Sequence, residues 1–270
     1  MRISLNTSKW YDYPLAAFIF FTRLPVWKMH SPPSECYRRV VEYWPLTGWL
    51  TGTVMAAAYY LGYTYISPVV GAVTAVAARV LLTGALHEDG LADFFDGFGG
   101  GGRNRAAILR IMKDSRIGTY GVAGLVMYFL LLCATLTVFP ASVGSLVIMI
   151  ADPFSKMVAS TITQMLPYAR TEEESKAHVV YSKFRYLSGF LLLVQGMLPF
   201  VLLAVFRQHL FSYYSLLLLP MVVFYGLYLF IFRRLRGYTG DCCGAVFLLV
   251  ELSFYLCAAF QYNNIQTIWM

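Results

Sequence analysis

Tyr120–Phe139 reads YGVAGLVMYFLLLCATLTVF, twenty residues without a single charge. At about 1.5 Å per residue such a helix is about 30 Å long, the thickness of a bilayer's hydrocarbon core. An amphipathic helix of a soluble fold would show a polar stripe over that length, and none is present. Downstream, the uncharged connection Pro140-Ala141-Ser142 leads directly into a second apolar run, Val143–Leu166. Further out lie Pro45–Ile66, Val69–Leu86, Tyr186–Phe206, Leu210–Phe232 and Ala245–Phe260, with Ser67-Pro68 joining the first two. The composition agrees: 59% of the 270 residues are hydrophobic, and 13% are charged against about 25% in globular chains. An aromatic content of 17% excludes a disordered chain. The expected fold is all-α, a polytopic integral membrane protein with about seven transmembrane helices. Tyr13–Val26 is apolar but short, holds Arg23 and ends in Leu24-Pro25, so it predicts an N-terminal interfacial or re-entrant helix. No linker, repeat or secretory signal is read, which leaves one membrane domain over 1–270.

The net charge of +7 comes from 21 basic and 14 acidic residues. Eighteen of the basic residues fall in the N-terminal segment and the 87–119, 167–185 and 233–241 connections, and only Arg207 falls on the other side. That asymmetry predicts a cytoplasmic N-terminus and an outward C-terminus. The basic excess then describes sidedness in a lipid bilayer, and no nucleic-acid partner is expected. Arg79 and Lys156 lie inside predicted spans, as do Asp152 and Glu251. Such intramembrane ions seek partners, so Asp152 with Lys156 is an expected pair, and Glu251 is expected either protonated or paired with Arg79 or Lys156. Five cysteines without CxxC spacing predict neither a disulfide framework nor a zinc site.

Immediately upstream of the opening span, four carboxylates crowd into HEDGLADFFDG (His87–Gly97). On a helix, Asp89, Asp93 and Asp96 share one face over about 10 Å of axis, while Glu88 points elsewhere. Like charges at that spacing repel unless a cation neutralises them, and hard oxygen ligands suit Mg²⁺ or Mn²⁺. The plainer alternative is an acidic helix end dipping into the cytosol. Gly99–Gly102 follows, then Arg103, Arg105, Arg110 and Lys113-Asp114-Ser115-Arg116. Carboxylates for a divalent cation beside a basic segment are what phosphoryl transfer requires. The positive-inside rule alone accounts for several of these basic residues, and a glycine run alone is a mobile connector.

The run HEDGLADFFDGFGG followed by KDSRIGTYG resembles the signature of the cobalamin synthase, or adenosylcobinamide-GDP ribazoletransferase, family. The positions that carry it are His87, Asp89, Gly90, Leu91, Asp93, Asp96, Gly97, Lys113 to Arg116, Gly118, Tyr120 and Gly121. Thr22-Arg-Leu-Pro25, Pro45-Leu-Thr-Gly48 and Gly240-Asp241-Cys-Cys-Gly-Ala245 with Glu251 resemble the family's outer segments. Thr171-Glu-Glu-Glu-Ser175 departs from it, standing where the family usually has a glycine-containing turn.

The resemblance implies a Mg²⁺-dependent enzyme of the bacterial cytoplasmic membrane that joins α-ribazole, or its 5′-phosphate, to adenosylcobinamide-GDP and releases GMP. It implies a metal site of Asp89, Asp93 and Asp96 at the cytoplasmic face, with Asp96 and Asp93 catalytic and Asp96 the candidate base. Lys113, Asp114, Ser115, Arg116, Arg110 and Asp241 are the candidate phosphate or substrate contacts. His87 is a second-shell donor or an interfacial cap; His178 and His209 have no evident role. A homo-oligomer, or contact with other enzymes late in the cobalamin pathway, stays open. The nearest alternative is a CDP-alcohol-type phosphotransferase, whose Asp-Gly-x-x-Ala-Arg pattern is not reproduced after Asp89-Gly90. An ion-coupled transporter would place its acidic cluster nearer the midplane and show paired halves.

Overall fold

The structure is a computed structural model that describes residues 8–170, 180–207 and 210–268. Its helices are α1 (Asp12–Phe21), α2 (Trp44–Tyr65), α3 (Pro68–Thr83), α4 (Leu86–Gly100), α5 (Arg105–Lys113), α6 (Thr119–Leu136), α7 (Ala141–Ser160), α8 (Ile162–Met165), α9 (Tyr186–Phe206), α10 (Tyr213–Leu235) and α11 (Gly240–Ile268). A 3₁₀ stretch over Ser34–Tyr43 leads into α2. The atypical 171–178 loop, His178 and His209 lie outside the described residues.

Five helical segments among the described residues are long and apolar enough to cross a membrane: Thr119–Leu136, Ala141–Met165, Tyr186–Phe206, Tyr213–Leu235 and Gly240–Asn264. The bent pair α3–α4 raises this to six if it counts as one span. The expected seven is therefore more than meets the criterion. α2, expected as the first span, has the length but is diluted by Trp, Tyr, Thr and Gly. The expected span Val69–Leu86 ends in a corner: α3 and α4, whose first residue is Leu86, meet at 94°. The cause is local: Gly84 and Ala85 both take left-handed backbone angles (φ 66° and 59°). Gly84 is also covered by Arg23, whose Nε would lie 2.1 Å from any added Cβ, and the Arg23 amide donates to Leu82 O at 2.7 Å. The N-terminal Thr-Arg-Leu-Pro segment thus docks on the α3–α4 corner. α1 stops at Phe21, just before extended Thr22 and Leu24-Pro25, as the backbone restriction ahead of proline dictates. Its ten residues span about 15 Å, too short to cross.

The spans are of two kinds. α7 and α11 are central, with 83% of their membrane-length windows buried, whereas α6, α9 and α10 bury 22–28% and present apolar faces outward. Each central helix anchors a buried ion pair. Arg79 Nη1 meets Glu251 at 2.5 Å, its Nη2 donates to Tyr128 Oη at 2.7 Å, and Tyr255 donates to the other Glu251 oxygen at 3.1 Å. Lys156 meets Asp152 at 2.6 Å one turn away on α7, and Thr51 of α2 accepts from Lys156 and donates to Asp152. Both expected pairs are thus present, with Arg79 as the partner of Glu251. Satisfying every such ion inside the protein is what a hydrocarbon surround requires.

Candidate functional site

α4 and α11 cross in backbone contact, and one glycine from each sequence motif permits it. A Cβ on Gly90 would sit 3.1 Å from Asp241 Cα and 3.2 Å from its carbonyl oxygen. A Cβ on Gly244 would sit 3.2 Å from His87 O and 3.4 Å from His87 Cα. Neighbouring Asp89 and Asp241 are consequently carried to the same place from opposite ends of the sequence. Thr239 Oγ1 accepts the Cys242 amide at 3.2 Å and caps α11, whose first turn holds Asp241 where the helix dipole favours an anion.

Both carboxylates line a cavity of about 130 Å³, together with Phe20, Phe21, Trp44, His87, Tyr168, Arg170 and Tyr181. Arg170 reaches it through a short parallel bridge: Ala169 N donates to Tyr238 O at 2.8 Å and Tyr238 N to Pro167 O at 2.9 Å. Its guanidinium is fixed by a 3.0 Å bond to Leu109 O. Two carboxylates and a guanidinium on one cavity can hold a divalent cation and an anionic ligand together, because hard oxygens suit the cation and Arg suits phosphate.

The other expected site residues are distributed differently. Asp89 is exposed, Asp93 half-buried and Asp96 buried, and neither Asp93 nor Asp96 lines the cavity. Asp96 accepts the Gly118 amide at 2.6 Å and the Gly121 amide at 2.8 Å, so it caps α6. Among the described residues no three His, Cys, Asp or Glu side chains gather in a metal-holding group. Of the three carboxylates in the row, Asp89 lines the cavity and Asp96 is bonded to the start of α6. A shared angular face does not bring residues together across about 10 Å of axis, and the far end of the row is committed to another helix. Asp96, the candidate base, thus stands against α6 and not on the cavity wall.

Arg110, Lys113, Ser115 and Arg116 are exposed on α5 and the turn after it, outside the cavity lining. Arg116 is spent on Asp114 at 2.7 Å and is 87% exposed. Hydrogen bonds from the Arg116 side chain and amide hold the Asp114 carboxyl down at about 2. His87 was expected to donate to a carboxylate or cap an interface. It is buried in an aromatic stack with both ring nitrogens unpartnered. Arg170 is the residue sequence reasoning missed; its only local signal, Leu166-Pro-Tyr-Ala-Arg170, is an unremarkable span exit.

Helices able to span a membrane, around a largely apolar cavity onto which Asp89, Asp241 and Arg170 open, define a polytopic helical membrane protein. A family profile for cobalamin-5-phosphate synthase matches residues 14–259. The chain is similar to the adenosylcobinamide-GDP ribazoletransferase of Shewanella sp. strain W3-18-1, 36% identical over 249 residues, 91% of this chain and 92% of that protein. Relatives of the same name in Shewanella baltica strain OS155 (36% over 248 residues, 90% and 92%) and Shewanella pealeana (35% over 240 residues, 88% and 90%) match alongside. No solved structure matches. The chain belongs to the cobalamin-5-phosphate synthase family.

Proposed function

We propose that this protein performs the last assembly step of cobalamin, transferring the adenosylcobinamide phosphate moiety from adenosylcobinamide-GDP to α-ribazole or its 5′-phosphate, with release of GMP. The observation that carries the reading is the convergence of Asp89, Asp241 and Arg170 on one cavity. The donor set fits Mg²⁺, which is commonly bound by one or two carboxylates plus substrate phosphates, so two acids suffice where the sequence suggested three. Asp89 and Asp241 would hold it, with Asp93 the next carboxylate along α4. Bound there, the ion would neutralise charge on the diphosphate oxygens. Arg170 would orient the diphosphate, and the tyrosine and phenylalanine walls would limit water. Asp96 would serve indirectly, by fixing α6 against α4. At about 130 Å³ the cavity falls below the roughly 300 Å³ usual for ligand pockets, so it suits the reacting phosphates and leaves the corrinoid to bind outside its mouth.

The same reading sets the protein in the bacterial cytoplasmic membrane with its cavity and N-terminus inside and its C-terminus outside, supported by the basic connections at the cavity end. Purified protein given adenosylcobinamide-GDP, α-ribazole and Mg²⁺ should release GMP, and EDTA should stop it. No GMP, or release indifferent to EDTA, would sink the proposal. For sidedness, a cysteine introduced as Asn264→Cys should label from outside in intact cells; labelling only after permeabilisation would invert the orientation.

A further inference from the structure

Three arginines, one from each of the 87–119, 167–185 and 233–241 connections, donate to backbone carbonyls of each other's segments. Arg105, the first residue of α5, donates from Nε to Leu235 O at 2.9 Å and from Nη2 to Ala169 O at 2.8 Å. Arg170 answers with its 3.0 Å bond to Leu109 O, one turn further along α5. Arg234, at the end of α10, donates to Gly102 O just ahead of α5. The 167–170 segment, α5 and the end of α10 are thereby laced together from several directions. The positive-inside rule accounts for basic residues in these connections, but not for guanidinium groups fixed on carbonyls.

Of these segments α5 is the fixed one. Its Ile108 and Met112 are fully buried and press on α4 where only glycine leaves room. A Cβ on Gly97 would lie 2.6 Å from Met112 Cγ, and one on Gly101 2.6 Å from Ile108 Cγ1. Asn104 accepts the Ala107 amide at 3.2 Å and caps the helix. The 167–170 segment is held to Tyr238 by two backbone bonds and to α5 by Arg105 and Arg170, and its Tyr168 and Arg170 line the cavity. Arg105 itself does not line it. Its two acceptors belong to the two stretches that the Tyr168–Tyr238 bridge joins. A planar guanidinium offers its donors in a fixed fork, so one side chain sets the spacing of two carbonyls; an ammonium presents no such fork. We propose that Arg105 is a positioning residue for Arg170, fixing the 167–170 wall of the cavity against α5 and so setting where Arg170 meets an anionic ligand. The inference rests on the transferase reading for the identity of that ligand, the diphosphate of adenosylcobinamide-GDP, and adds to it the residue that aims its clamp.

Arg105→Lys keeps the charge and loses the fork. In hydrogen–deuterium exchange of the detergent-purified protein, the Ala169 and Tyr238 amides should exchange about tenfold faster than in the parent, with the rest of the bundle unchanged. In turnover, the KM for adenosylcobinamide-GDP should rise about three- to tenfold, the worth of one net hydrogen bond, and the KM for α-ribazole should stay within about twofold. Parent-like exchange at both amides would overturn the proposal. Faster exchange throughout the bundle would overturn it too, because it marks a general loss of stability. Equal rises in both KM values, or no rise in either, would have the same force. A parent protein that releases no GMP would sink the transferase reading instead, and the exchange pattern would then decide the positioning role alone.

Discussion

Two sets of carboxylates lie in this bundle, and they differ in where they sit. Glu251 and Asp152, fully buried on α11 and α7, are each met within 2.6 Å by a cation of the same chain. Asp89 and Asp241, at the helix ends, face a cavity together with Arg170. The deep set is closed and holds helices together, while the outer set is arranged around space. Charge in an apolar chain is thus a poor guide to function until its partners are known. That is why the intramembrane ions, which by themselves suggested a transporter, support no transport path.

The sharpest way to break the comparison is Glu251→Gln. Removing one partner of a buried pair strands the other, so unfolding stability in detergent should fall by about 3 kcal/mol, with Glu88 at 3.6 Å from Arg79 limiting the loss. A change below about 1 kcal/mol would mean that the deep network is not held by charge. Asp89→Asn should do the opposite: GMP release should drop by at least about 100-fold with the unfolding midpoint unmoved. Near-normal turnover would remove Asp89 from the site. Gly90→Ala tests the crossing that joins the outer pair. Pressing a methyl group against Asp241 should cost about 1–2 kcal/mol and slow turnover as well. A variant that loses neither would show that α4 and α11 have slack.

The smallest effect is expected at Arg116→Ala, where turnover should change by less than about twofold because the exposed ion pair is worth little. The pH dependence follows by sign. The Asp114 carboxyl lies below its ordinary 3.8, so whatever stability the pair adds is present above that value and fades as pH falls towards about 2. Parent and variant should therefore have closely similar unfolding midpoints at neutral pH and converge further below pH 3. A large loss of turnover in Arg116→Ala would return the 113–116 segment to the site.

The helical class, the buried pairing of Glu251, and Asp89 and Asp241, which line one cavity, were all legible in the sequence. Apolar run length and intramembrane charge are direct physical constraints, and the two aspartates sit beside motif glycines. Periodicity was less informative about Asp93 and Asp96. It reports the angle of a side chain around an axis and is silent about which neighbour stands at each level of that axis. The amides of Gly118 and Gly121, which claim Asp96, lie 22 and 25 residues downstream with no pattern linking them to it. Arg170 entered through backbone bonds that join Tyr238 to Ala169 and Pro167, 69 and 71 residues earlier in the chain, which no local signal announces. The α3–α4 corner was missed because Ala85, an ordinary helix former, takes a left-handed angle there.

The deep network also bears on how the chain is assembled. Arg79 and Glu251 are 172 residues apart, so a ribosome delivers the cation long before its principal partner exists. Glu88, nine residues after Arg79 and within 3.6 Å of it in the folded bundle, is the counter-ion synthesised nearest in time to the guanidinium. A nascent chain halted before α11 would carry that provisional pair alone, whereas one halted before α4 would expose an uncompensated arginine to the insertion machinery.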